Sequence, residues 1–108
     1  MTDKIVVLAT CGSAEEARKI ARALVESRLA ACVNILAGIE SVYRWKGAVE
    51  EASECLLIVK STRGLFDRLQ AAIREVHSYE LPEIVALPIV DGLEPYLSWI
   101  AASVAAVE

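Results

Sequence analysis

The chain has 108 residues, 56% of them hydrophobic, and a mean hydropathy of +0.45, richer in apolar residues than the ~45–50% usual for a globular domain. Every apolar run is cut by a charge, a proline or a glycine well short of the ~20 residues that a spanning helix needs, which excludes a membrane protein and leaves self-association to hide the surplus. Eleven basic against fifteen acidic residues give a net charge of −4, scattered through both halves, which excludes a basic stripe for nucleic acid and a polybasic lipid-binding patch.

Such a length predicts one domain across residues 1–108. The three cysteines, Cys11, Cys32 and Cys55, are odd in number and far apart, so they make neither a zinc pair nor a disulfide framework. A reducing cytoplasm is the compartment expected. At the N-terminus, MTDKIVVLATCG sets only Lys4 before an apolar stretch too short for a signal segment.

Residues 4–10, KIVVLAT, read as a strand buried on both faces. Ser13 with Glu16 three places on makes a capping box, and Ala17, Ile20, Ala21 and Leu24 then recur on one helical face. After Arg28 the period changes to a short apolar run, LAACVNILAG, which Gly38 is expected to break. A long hairpin follows, its two strands joined at Lys46-Gly47, where glycine supplies the positive φ of a tight turn. Along it Val42, Arg44 and Lys46 alternate with Tyr43 and Trp45, predicting one aromatic and one charged face, with Glu50 and Glu51 keeping the tip solvated.

From Thr62 the pattern turns helical, with Leu65, Leu69, Ala72, Ile73 and Val76 on one face, until Leu81-Pro82 forbids its continuation. Residues 84–90, IVALPIV, form the next strand, in which Pro88 requires an edge, a bulge or a strand end. Asp91-Gly92 is a turn, and EPYLSWIAASVAAV a last amphipathic helix. This βαββαβ order predicts an α+β, ferredoxin-like subunit: four antiparallel strands with both helices on one face. The other face, apolar and uncovered, is then the surface for further copies.

Five strings in order, LAACVNI at 29–35, SVYRWKG at 41–47, ECLLIVKS at 54–61, HSYELPEIVALPI at 77–89 and YLSWI at 96–100, closely resemble the CutA1 divalent-cation tolerance family across essentially the whole chain. The resemblance implies a tight homotrimer in which the extended hairpins pair between neighbours, similar to the PII signalling proteins. It also implies a role in tolerance of divalent metals, chiefly copper, with no assigned reaction. The copper ligands of bacterial members, a first-strand cysteine and two adjacent histidines, match Ala9, Val76 and His77 here, followed by Ser78 where the family usually has proline. Only His77 survives, and Cys11, two residues along an extended strand from Ala9, lies on the same face as a substitute.

The candidate metal ligands are therefore His77, Glu83 and Cys11, for copper or another divalent cation, with no organic cofactor. The competing reading makes His77 a brace at the helix C-terminus, bonded to a carbonyl or to Glu83. Glu83 is expected to pair with Lys60, Arg44 or His77. Tyr43, Trp45, Tyr79, Tyr96 and Trp99 are expected at subunit interfaces, or lining a cleft between subunits. Cys32 and Cys55 read as small buried hydrophobes. No nucleotide, zinc-protease or nucleophile-elbow motif is present, so a non-enzymatic metal-response protein is expected. The alternative is a PII-like signalling module or scaffold, reading an anion through Arg44, Lys46 or Arg63 or holding a protein partner whose nature the sequence leaves open.

Overall fold

The computed structural model describes residues 2–106. Its elements run β1 (Lys4–Cys11), α1 (Ala14–Glu26), β2 (Cys32–Trp45), β3 (Ala48–Thr62), a 3-10 turn (Arg63–Leu65), α2 (Phe66–Val76), β4 (Ile84–Pro88) and α3 (Glu94–Ser103). The strands form one antiparallel sheet in the order β2-β3-β1-β4, the ferredoxin-like arrangement expected from the sequence.

Register decides the two faces of this sheet. Val7 pairs with Val59, Ala9 with Leu57 and Cys11 with Cys55, so these side chains project together, and they pack with Ala17, Ile20 and Leu24 of α1 and Leu69 and Ile73 of α2. On the opposite face lie Val6, Leu8, Leu56 and Ile58. That face is not bare, as the βαββαβ order alone would have it. Helix α3 packs on β1 and β3 with Leu97 and Ile100 buried. The Tyr96 hydroxyl meets the Cys32 thiol, and Cys32 is paired in register with Lys60 of that same face. Leu36, Val85 and Leu87, which share it by register, stay about half exposed.

Ser13 caps α1 as the sequence predicts, its Oγ accepting from the Glu16 N–H at 3.1 Å, while the Glu16 carboxylate turns inward to the ring of His77. At the other end of α1, Leu29 N–H bonds Leu24 O and Arg28 N–H bonds Val25 O, a Schellman closure with Arg28 left-handed at φ 62°. The Arg28 guanidinium then donates to the carbonyls of Ala102 and Val104, tying the C-terminal segment to the end of α1.

Three local expectations are corrected. Gly38 does not break the strand: Leu36 pairs with Leu56 and Ile39 with Glu54, so one extra residue of β2 is absorbed in a bulge with Gly38 at φ 73°. Helix α2 starts at Phe66 because β3 runs to Thr62 and a 3-10 turn intervenes. Strand β4 ends at Pro88, an edge position where the missing N–H is harmless.

The turn at Lys46-Gly47 has φ of 50° and 83°, the two consecutive positive values of a type I′ hairpin. Beyond the bulge the hairpin leaves the body of the molecule. No residue from Ala37 to Ser53 is buried, and the longest dimension reaches 43 Å against 25 and 23 Å for the others.

Candidate functional site

The site is assembled where α2 gives way to β4. His77 is the C-cap of α2, extended at φ −73° and ψ 137°, and its side chain is turned completely inward. The ring Nε2 lies 2.6 Å from the Thr10 carbonyl oxygen, and Nδ1 accepts the Tyr79 N–H at 3.0 Å. A carbonyl accepts only and an amide donates only, so these partners assign a neutral imidazole protonated on Nε2. Neither ring nitrogen has a lone pair left for a metal. Glu16 Oε1 stands 3.9 Å from Nδ1, buried and without a hydrogen bond.

This brace aims Tyr79. Its ring meets the His77 ring edge-on at 4.8 Å, and its hydroxyl donates to Glu54 Oε2 at 2.9 Å. Burial first, then the bond to Glu54 and that carboxylate's charge, push the Tyr79 hydroxyl well above the ordinary phenol range, which fixes it as a donor. Gly12 makes room for the contact, since a Cβ there would stand 3.2 Å from the hydroxyl.

Glu54 is only 8% exposed. Among the described residues no Lys, Arg or His nitrogen reaches it at ion-pair distance. The bulge decides what shares its face: Ile39 pairs with Glu54 and Tyr43 with Glu50, so past the extra residue Tyr43, Trp45, Glu50 and Glu54 share one face. The aromatic face predicted for the hairpin is therefore also an acidic one.

Between the outer hairpin and the segment 79–83 lies a cleft of about 860 Å3, walled by Glu40, Glu50, Glu54, Glu80 and Glu83 together with Tyr43, Trp45 and Tyr79. Among the described residues no lysine, arginine or histidine lines it. Lys46 at the hairpin turn reaches over the Trp45 ring, 5.6 Å from its centroid.

The three candidate metal ligands occupy different places. His77 is sealed behind Tyr79, Glu83 is exposed on the cleft wall, and Cys11 is buried with its thiol on the Ser13 carbonyl at 3.5 Å. Burial pushes the Cys11 thiol up, outweighing the lowering effect of that bond. The described residues of one chain contain no group of three or more His, Cys, Asp or Glu arranged to hold a metal ion. Glu83 has no ion pair with Lys60, Arg44 or His77 among the described residues, and Lys60 instead donates to Asn34 Oδ1. Ala9 is buried in the core and Val76 packs against it, so both positions that the resemblance would match to ligands are filled by core side chains.

Of the five aromatic candidates, Tyr43, Trp45 and Tyr79 share the cleft. Tyr96 and Trp99 lie against each other on α3, centroids 5.5 Å apart, and both stay more than a third exposed. Cys55 is buried and Cys32 only half-buried. Sequence reasoning misses Glu54, Gly12 and Thr10. The one signal for Glu54 is a carboxylate immediately before the apolar run of residues 55–59.

Residues 5–103 match the model of the family described as CutA1 divalent ion tolerance protein. The chain is 55% identical over 95 residues to the divalent-cation tolerance protein CutA of Thermus thermophilus, a match taking in 88% of this chain and 92% of that protein. It is 48% identical over 91 residues to protein CutA of Mus musculus, covering 84% of this chain and 51% of the mouse protein, about half its length. The solved structure of the divalent cation tolerance protein (Cut A1) from Thermus thermophilus superposes with a TM-score of 0.93 at 51% identity, over 94% of this chain and 99% of that one. The family is named for tolerance of divalent ions, not for a reaction.

Proposed function

The chain belongs to the CutA1 divalent ion tolerance family, and on that basis we propose that it is a non-enzymatic binding protein for divalent metal ions, copper among them, acting as a cytoplasmic homotrimer. The cations enter the cleft between the outer hairpin and the segment 79–83. The observation that carries this reading is the composition of that wall: among the described residues, five glutamates and no basic side chain. A concave surface of one sign concentrates counter-ions from solution.

The donor set defines the kind of binding. Carboxylate oxygens suit hard and borderline cations, and carboxylates that do not converge in threes leave a cation most of its water, bound through those waters. His77 serves as the brace that sets Tyr79, and through it Glu54, rather than as a ligand. The result is a site of modest affinity with fast exchange, fitting a protein that responds to metal rather than one that stores it.

Trimer formation is supported by the apolar side chains left at the surface, Leu36, Val85, Leu87, Leu93 and Trp99 among them, which exceed what a lone subunit comfortably exposes. Equilibrium dialysis against Cu2+, Zn2+ and Mn2+ tests the metal reading. Saturable uptake is expected, weakened by about tenfold or more in the Glu54→Gln/Glu83→Gln double variant. No saturable uptake, or uptake indifferent to the two substitutions, sinks it.

A further inference from the structure

Cys11 and Cys55 are far apart in the sequence, and the β1–β3 register sets them directly opposite each other. Both thiols are free and buried, on the face of the sheet that α1 and α2 of the same chain close, so their pairing depends on no other copy. The hydrogen-bonding phase of the ladder fixes how near they come. The Arg63 N–H donates to the Asp3 carbonyl at 2.7 Å, one pair beyond Lys4 and Thr62. Bonded and unbonded pairs alternate along an antiparallel ladder, which makes Cys11 and Cys55 a bonded pair with Cα atoms ~5.5 Å apart, inside the ~4.4–6.8 Å that a disulfide spans.

Their place in the ladder favours closure. They form its last pair, with Gly12 following at once, so no further rung holds the two strands at their ordinary spacing. The Cβ atoms of opposed residues stand ~4.5–5.5 Å apart, wider than the ~3.5–4.5 Å of a disulfide, so the strand ends must draw together and the bond is a strained one. Strained disulfides are the readily reduced ones, and in reducing compartments such transient bonds serve sensing rather than stapling. Burial raises the Cys11 thiol despite its bond to the Ser13 carbonyl, and the neighbouring Cys55 adds to the rise. Cys55, 5% exposed against 0% for Cys11, is therefore the first to meet a small oxidant.

We propose that Cys11 and Cys55 are a redox pair that hydrogen peroxide closes into a reversible cross-strand disulfide. The Cys55 sulfur attacks one peroxide oxygen, the O–O bond breaks, and the departing hydroxide takes the thiol proton, leaving a sulfenic acid and water. The Cys11 sulfur then attacks the Cys55 sulfur; the S–S bond forms, the S–O bond breaks, and hydroxide leaves with the Cys11 proton as a second water. Two thiols thus give two electrons to one peroxide, and a small-molecule thiol returns them by exchange.

The test exposes the folded full chain to excess hydrogen peroxide, quenches with catalase, unfolds and alkylates with iodoacetamide, and maps the cysteines by peptide mass spectrometry. The expected result is loss of two alkylatable thiols of the three, a peptide pair joined through Cys11 and Cys55, no link through Cys32, and recovery of the two thiols with dithiothreitol. The same chain unfolded in urea before oxidation is expected to give all three pairings, because nothing then selects partners. Cys32→Ser is expected to form the bond as the parent does. Cys11 and Cys55 still alkylatable after oxidation of the folded chain overturn the proposal. So do mixed pairings in the folded chain, sulfinic acid at Cys55 without a link, and loss of the bond in Cys32→Ser.

Discussion

At the scale of single residues the site is a relay of hydrogen bonds, Thr10 to His77 to Tyr79 to Glu54, in which each partner fixes the next. Tyr79→Phe deletes the last link and leaves Glu54 Oε2 without its donor. It is expected to destabilise the fold by about 1–3 kcal/mol, read from the denaturant midpoint. The same residue governs alkaline behaviour. Its folded-state hydroxyl is raised above the ordinary value of 10.0, so the folded state holds a proton that the unfolded state releases, and stability falls as pH rises from about 10 upward. Cys11 and Tyr96, both raised by burial first, act in the same direction. Tyr79→Phe is therefore expected to show a shallower loss of stability with alkaline pH than the parent chain; identical slopes would mean that Tyr79 is not held protonated by its surroundings. A second substitution tests packing: Gly12→Val drives a branched side chain at the Tyr79 hydroxyl, 3.2 Å from where its Cβ would sit, and is expected to weaken cation uptake, as Tyr79→Phe does.

At the scale of elements, the β2 bulge determines what the hairpin presents. Gly38 has open space around its would-be Cβ but sits at φ 73°, so Gly38→Val has only backbone strain to overcome and is expected to lose about 1–2 kcal/mol. Deleting Gly38 instead removes the extra residue and leaves Leu36 and Ile39 two apart, still opposite Leu56 and Glu54, so Tyr43 and Trp45 keep their face of the sheet. Uptake of cations should then persist, with far-ultraviolet circular dichroism keeping the signature of the folded body; lost uptake would show that the cleft depends on the bulge itself and not on the face it preserves. Much of this architecture is legible in the sequence. The Ser13 cap, the glycine of the Lys46-Gly47 turn and the apolar periods of α1 and α2 are local signals, and local physics honours them. The Gly38 bulge reads as a strand end from sequence because glycine in a strand pattern marks both, and only pairing with β3 separates them. Glu54 is hidden for a related reason: Tyr43 and Trp45 share its face only through a register shift at Leu36–Ile39 of the neighbouring strand, and its partner Tyr79 comes from another segment. His77 is legible as a brace at a helix end, but its commitment of both nitrogens needs the Thr10 carbonyl, which no pattern of residue types reveals.

At the scale of the molecule, the surplus of apolar residues seen in the composition reappears as a surface. Core packing and α3 bury Leu97 and Ile100, yet Leu81, Val90 and Leu93 remain about 70% exposed and Leu36, Val85, Leu87 and Trp99 about half exposed. β2 runs along a sheet edge with its outer half clear of the body, offering unpaired backbone donors and acceptors to another copy. In the trimer proposed above, copies joined through that edge and the half-covered sheet face seal both, with the clefts at the boundaries between subunits. Sedimentation equilibrium at low micromolar concentration tests this most directly. The expected result is a single species of three times the 11.7 kDa chain mass; a folded, monodisperse single chain under the same conditions would contradict it.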